Sequence, residues 1–203
     1  MTGRHKILVE QNADVPMRDG AILRANVYRP NSDGRFPVLM TFGPYGKDVP
    51  LREFMQEAWD RLNKTYPEIL AASSCKHLVF ERPDPEMWVP DGYVVISVDS
   101  RGAGKSLGRL DPNSPAEFRD FYDAIGWAGM QPWSSGKVGL LGISYYAAGQ
   151  WFVAAMRPFI ATARGRMAST QVDFLNAGGT AVSCATNMAI QILTVGTSTP
   201  VNV

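Results

Sequence analysis

The sequence predicts an α/β domain with a mainly parallel central sheet, and three observations carry that prediction. An antiparallel lead-in over residues 7–30 gives way to strand candidates that alternate with helix candidates, as in parallel sheets flanked by helices. Two of those strands, Phe36-Pro37-Val38-Leu39-Met40-Thr41-Phe42 and Gly92-Tyr93-Val94-Val95-Ile96-Ser97-Val98-Asp99, are nearly continuous apolar runs, suited to a sheet covered on both faces. A third, Val138-Gly139-Leu140-Leu141, runs into a turn with Gly142 before and Ser144 at its apex, then into an apolar helix over residues 147–156.

Taken in order, Ile7-Leu8-Val9-Glu10 opens the lead-in, Asp19-Gly20 marks a hairpin turn, and residues 21–28 form the return strand ending at Arg29-Pro30. Polar residues 31–35 connect to the strand 36–42, which breaks at Gly43-Pro44-Tyr45-Gly46. Arg52, Phe54, Met55, Ala58, Trp59 and Leu62 have helical spacing over 52–63. Residues 64–92 carry Pro67, Pro83, Pro85 and Pro90 and no long periodic run, so they read as irregular. After the strand ending at Asp99 comes a Gly/Pro-rich loop. A helix then starts with Ser114 as N-cap, Pro115 in its first turn and Glu117 reaching back. Its apolar positions are Phe118, Phe121, Tyr122, Ile125 and Trp127. From Phe174 to Val203 no residue is charged, and only residues 189–195 suggest a strand.

Composition excludes several classes of function. The 203 residues suffice for one sizeable core, and 45% hydrophobic with 19% charged residues is ordinary globular usage. A net charge of +1 favours neither nucleic acid nor an anionic membrane as partner. Cys75 and Cys184 are too few and too distant for a disulfide framework, and His5 and His77 leave little for a metal site. The polar N-terminus lacks the apolar core of a secretory signal, so a soluble cytoplasmic protein is expected, and Asn176, Asn187 and Gln191 argue against a membrane span in the tail.

Two glycine-rich turns invite chemical readings. Ser100-Arg101-Gly102-Ala103-Gly104-Lys105-Ser106 resembles a phosphate loop only at its end. The motif needs a glycine where Asp99 stands and a helix starting at Lys105, whereas Gly108, Pro112 and Pro115 follow. It reads instead as a structural turn with Arg101 and Asp99 in local hydrogen bonds or an ion pair. The second turn, at Ser144, has the layout of a nucleophile elbow, in which a serine is lifted clear of the sheet beside free backbone N–H groups. Its pattern departs from G-x-S-x-G, because Tyr146 occupies the second glycine position and is expected to point away from the strand–helix contact. The competing reading makes Ser144 a helix cap. Tyr45 likewise reads either as a hydroxyl donor to an oxyanion or as an ordinary loop aromatic.

Taken together, Pro44-Tyr45-Gly46-Lys47, the run from Asp99 to Gly108, Asp120-Phe121-Tyr122-Asp123 with Trp127, the run from Gln131 to Gly139, and Gly142-Ile143-Ser144-Tyr145 occur in an order that resembles the cocaine-esterase-like (CocE/NonD) hydrolases. These are α/β-hydrolases related to X-Pro dipeptidyl-peptidases. The segment from Met17 to Pro30 resembles their lead-in as well, and the likeness runs from about residue 8 to about 160. The resemblance implies an α/β-hydrolase fold with Ser144 as nucleophile. The backbone N–H of Tyr145 and the hydroxyl of Tyr45 would form the oxyanion hole. Trp151 falls where the family often has tryptophan, and a core aromatic is its competing role. The implied reaction is acyl transfer from a small ester, amide or peptide substrate, with no metal or organic cofactor.

The triad on this fold runs Ser, then acid, then His. After Ser144 this sequence holds no histidine and a single acid, Asp173, which matches a non-catalytic position. The expectation is therefore a hydrolase domain truncated after the nucleophile helix. Residues 1–163 would be its N-terminal part and 164–203 a divergent tail, poorly ordered or out of register with the family. The family's cap and C-terminal β-sandwich are not recognisable. A base from a second chain, or His77 folding over the site, is the remaining route to activity. A catalytically inactive remnant acting by interaction is the alternative function. An unpaired sheet edge beside the elbow strand would favour self-association.

Overall fold

A computed structural model describes residues 4–156, 169–174 and 190–198. Strands β1 (Ile7–Pro16) and β2 (Ile22–Pro30) form the antiparallel lead-in, joined at a turn where Gly20 takes φ 86°. A bulge between Glu10 and Ala13 holds Asn12 at φ 57°. Next come β3 (Phe36–Gly43), β4 (Val94–Asp99) and β5 (Ser134–Ile143). Beyond them lie β6 (Ser169–Phe174) and β7 (Ile190–Ser198). The sheet order is β1-β2-β4-β3-β5-β7-β6, parallel for β4, β3 and β5 and antiparallel elsewhere.

The expected helix over 52–63 is two pieces, α1 (Leu51–Phe54) and α2 (Gln56–Thr65), because Met55 leaves the helical region at φ −141°, ψ 69°. Residues 64–92 are not wholly irregular. They hold α3 (Glu68–Ala72), α4 (Pro85–Trp88) and a 3-10 turn at Val89–Asp91. Each is too short to show a period in the sequence. Two long helices follow: α5 (Pro115–Met130) and α6 (Tyr145–Ala155).

Strand alternation sorts the core. Val94, Ile96 and Val98 of β4, Val38, Met40 and Phe42 of β3, and Val138 and Leu140 of β5 face one side. There they meet Phe121, Ala124, Ile125 and Ala128 of α5, spaced as one helical stripe. Phe42 stacks on Phe121 with ring centroids 4.8 Å apart. On the other face Val95 packs with Tyr28 and Val89. That face also buries Asn26, Thr41 and Ser97, so it is the more polar one.

The α5 start is capped as expected by Ser114, whose Oγ accepts from the Glu117 N–H at 3.1 Å. Glu117 reaches one residue further back than a capping box requires, accepting from the Asn113 N–H at 2.7 Å. The edge predicted beside the elbow strand is not there. β7 runs antiparallel along β5, with Leu140 opposite Leu193 and Gly142 opposite Gln191, so β5 is an interior strand and the sheet ends at β1 and β6. The basis for association through β5 is thereby removed. Among the described residues no helix is long and apolar enough to cross a membrane.

Candidate active site

The site begins with the backbone between β5 and α6. Ser144 sits at φ 54°, ψ −117°, a sparsely populated region for a non-glycine residue that a strained turn must enforce. Its side chain makes no capping hydrogen bond and is exposed, so the helix-cap reading does not hold. Only its carbonyl serves the helix, accepting from Ala147 and Ala148 at 3.0 and 2.9 Å. Tyr145, as the first residue of α6, contributes one of the N-terminal N–H groups that have no acceptor within the helix.

Gly142 is required by packing. A Cβ there would lie 2.4 Å from the Tyr146 Cβ. Tyr146 does not point away from the contact, contrary to expectation, but is 1% exposed. Its ring is accommodated because Gly43, at the end of β3, has no side chain; a Cβ at that position would stand 2.4 Å from the Tyr146 Cε1. The second small residue of the elbow motif has in effect moved to the neighbouring strand.

Three consecutive residues from the strap before α4 close over this turn. Phe80 packs on Tyr45 and Phe54, with centroids 5.8 and 4.8 Å away. The Glu81 carbonyl accepts from the Ile143 N–H at 3.3 Å, which holds the strap against the elbow. Arg82 donates from Nη2 and Nε to the Tyr146 hydroxyl at 2.9 and 3.2 Å, with its guanidinium over the ring. The same hydroxyl accepts from the Tyr45 N–H at 3.3 Å, so Arg82 and Tyr146 together hold the Tyr45 loop.

The Tyr45 ring stands edge-on to Tyr145 and Tyr146, at 5.8 and 5.4 Å. Burial raises its phenol above the ordinary range, and the charge of Glu81 adds to the rise, so the hydroxyl stays a proton donor at neutral pH. The Tyr145 hydroxyl donates to Glu117 at 2.5 Å and accepts from the Asn113 N–H at 3.1 Å. Burial and that carboxylate push it far up. This phenol ties the elbow to the start of α5, while the backbone of Tyr145 stays beside Ser144.

Tyr45, Ser144 and Tyr145 therefore converge. The remaining sequence candidates do not join them. Trp151 lies two turns along α6, about 10 Å from Ser144 by helix rise, and at 50% exposure it is no core aromatic. His77 tilts against Tyr28 at 5.0 Å and lines a cleft of about 360 Å³ with Asn26, Lys47, Asp48 and Lys105. Burial lowers its pKa. His5 pairs with Ser32 at 3.1 Å and meets Phe36 edge-on. Asp173 is on β6, opposite Thr194. No group of three His, Cys, Asp or Glu side chains that could hold a metal ion occurs among the described residues.

Residues 19–192 match the family model of the X-Pro dipeptidyl-peptidases, S15 family. This chain belongs to the X-Pro dipeptidyl-peptidase (S15) family. It is 34% identical over 143 residues to the cocaine esterase of Rhodococcus sp. (strain MB1 Bresler), covering 70% of this chain and 20% of that protein. A putative Xaa-Pro dipeptidyl-peptidase of Bacillus anthracis is 29% identical over 159 residues, covering 68% of this chain and 25% of its own length. The crystal structure of a CocE/NonD family hydrolase from Staphylococcus aureus superposes with a TM-score of 0.64 at 40% identity, over 75% of this chain and 26% of that one. The fold is that of the α/β-hydrolases, and the S15-family chain spans about a quarter or less of the length of these relatives.

Within the S15-family chain the loop after β4 is structural, though not through the pair expected. Asp99 is fully buried and accepts from the N–H groups of Lys47 (2.6 Å) and Lys105 (3.0 Å), with the Lys47 ammonium 3.6 Å away. Arg101 turns instead to Asp120, at 2.9 and 2.8 Å, and to Asp19. Gly104 is required because a Cβ would fall 2.1 Å from the Asp99 Oδ2. A phosphate has no room where that carboxylate sits.

Sequence reasoning missed Glu81 and Arg82. Their only signal is a charged pair after Phe80 and before Pro83 and Pro85, in a segment without periodicity. Nothing local says that this strap crosses a turn more than sixty residues later.

Proposed function

We propose that Ser144 is the nucleophile of a serine hydrolase acting on small esters or amides, X-Pro peptide bonds included. The supporting observation is the elbow itself: a serine held at φ 54°, exposed, with its hydroxyl not spent on capping the helix it precedes. In this reading the Ser144 Oγ attacks the substrate carbonyl and forms a tetrahedral adduct. Its oxyanion receives hydrogen bonds from the Tyr145 N–H and the Tyr45 hydroxyl. The high proton affinity of Tyr45 keeps that second donor protonated. Collapse expels the alcohol or amine and leaves an acyl-Ser144, which water then hydrolyses. Trp151 is the candidate substrate contact, being half exposed on the helix that follows the nucleophile. The printed names of the relatives, esterase and Xaa-Pro dipeptidyl-peptidase, bracket the substrate class.

Covalent chemistry predicts a burst. With p-nitrophenyl acetate, the wild-type chain should release close to one nitrophenolate per chain in a first phase, and Ser144→Ala should release none. A burst that survives in Ser144→Ala overturns the assignment. A second reading, action by interaction alone, is favoured by the two histidines standing at Tyr28 and Ser32 rather than at Ser144. A folded chain with no burst would select it.

A further inference from the structure

The residue after Ser144 is anchored by its side chain to a different helix. Tyr145 opens α6, and its hydroxyl reaches the start of α5, where it donates to the Glu117 Oε2 at 2.5 Å and accepts from the Asn113 N–H at 3.1 Å. The same N–H donates to that Oε2 at 2.7 Å, so phenol, amide and carboxylate close a triangle. Asn113 presents its N–H from the left-handed region, φ 58°, which asparagine tolerates better than most residues. Glu117 is only 7% exposed, and its Oε1 is buried with no partner among the described residues. Burying a carboxylate is costly unless its bonds compensate. Capping does not explain that cost, because Ser114 already caps α5. Every hydrogen bond the Glu117 carboxyl makes among the described residues is spent on Asn113 and Tyr145.

We infer that Glu117 is a positioning residue for the oxyanion hole, given Ser144 as the nucleophile proposed above: it fixes the Tyr145 phenol and, through it, the direction of the Tyr145 N–H. That N–H shares one rigid peptide plane with the Ser144 carbonyl. The plane hangs from a serine at φ 54°, ψ −117°, whose own side chain makes no capping bond to steady it. Its carbonyl edge is held by the N–H groups of Ala147 and Ala148. Its Cα edge, at Tyr145, is held by the phenol's bonds to Glu117 and Asn113. An oxyanion donor is effective because it is aimed before charge develops and need not turn when it does. Glu117 touches no reacting atom. Its effect passes through Tyr145 alone.

The surroundings keep the anchor stiff. The 16-residue α5 is seated on the sheet by Phe121, Ala124, Ile125 and Ala128, so the carboxylate stands on a packed helix rather than on a loop. The Tyr145 ring lies between Tyr45 and Tyr146, at centroid distances of 5.8 and 6.4 Å, both nearly edge-on. Burial and the Glu117 carboxylate push the phenol far above its ordinary range, and the Asn113 N–H offsets this only in part. The hydroxyl therefore remains a donor to the carboxylate at neutral pH, and bonds of that kind are short and strong.

The test is modification of Ser144 by a fluorophosphonate on the whole chain, read as a limiting rate and a half-saturating concentration. Glu117→Ala and Tyr145→Phe should each lower the limiting rate roughly tenfold, short of the 10²–10³-fold cost of deleting a donor. The half-saturating concentration should stay within about twofold, because the N–H acts on charge that develops only during reaction. Glu117→Gln still offers an acceptor to both donors and should recover most of the rate. The double variant Glu117→Ala/Tyr145→Phe should fall no further than either single variant, since both break one contact. Limiting rates within about twofold of wild type in both single variants overturn the inference and leave the nucleophile standing. So does a loss carried by the half-saturating concentration, or a double variant whose loss is the product of the two. If Glu117→Ala does not fold, Tyr145→Phe, which leaves the Glu117–Asn113 bond in place, decides alone. A wild-type chain that is never modified overturns the nucleophile assignment, and the role of Glu117 with it.

Discussion

Two glycine-rich turns leave neighbouring parallel strands on either side of β3, and they end in opposite states. The turn after β4 closes on itself. Asp99 is filled by two backbone N–H groups and a buried ammonium, and the Ser106 Oγ donates to the Asp99 carbonyl at 2.7 Å while accepting from the Arg24 N–H at 2.9 Å. The turn after β5 leaves its serine outward, in a strained conformation, with its hydroxyl making no capping hydrogen bond. A buried carboxylate held by two backbone donors and an ammonium makes the turn after β4 structural. An exposed hydroxyl on an enforced backbone makes one chemical.

Substitutions should separate the two turns. Asp99→Ala leaves the Lys47 ammonium and Arg82 buried beside an empty site, and should cost about 3–5 kcal/mol, seen as a melt lowered by ~10 °C. A melt within two degrees of wild type would dissolve the contrast from the structural side. Tyr45→Phe should do the reverse: stability should stay within about 0.5 kcal/mol, while acylation slows roughly 10²–10³-fold through loss of one oxyanion donor. Unchanged acylation would remove Tyr45 from the site. Tyr146→Phe lies between them. It takes the acceptor from Arg82 and from the Tyr45 N–H, so a loss of about 1–3 kcal/mol in stability is expected, with a smaller fall in acylation than Tyr45→Phe gives. A larger fall than for Tyr45→Phe would mean that Tyr146 itself acts on the substrate.

Legibility in the sequence followed the range of the forces involved. The strands β3, β4 and β5 announce themselves because burial on both faces demands unbroken apolar runs, and α5 because its cap and stripe are local. Motif order points to Ser144, Tyr45 and Tyr145 as the candidate site residues. The pairing of β7 with β5 was not, because an uncharged run carries no mark of which strand it joins. The placement of Tyr146 was missed for a related reason: the space that accepts its ring is made by Gly43, a hundred residues earlier. Glu81 and Arg82 depend on a strap whose register is set by tertiary contact alone, with no period to reveal it.

The central claim, that the turn after β5 carries a nucleophile, is tested most directly by locating a covalent adduct. Folded wild-type chain is incubated with a fluorophosphonate, its intact mass recorded, and the peptides mapped. The account predicts one adduct per chain, on Ser144, with the buried Ser100 and Ser106 of the turn after β4 untouched. A folded chain that gains no mass, or an adduct on any other serine, would contradict it.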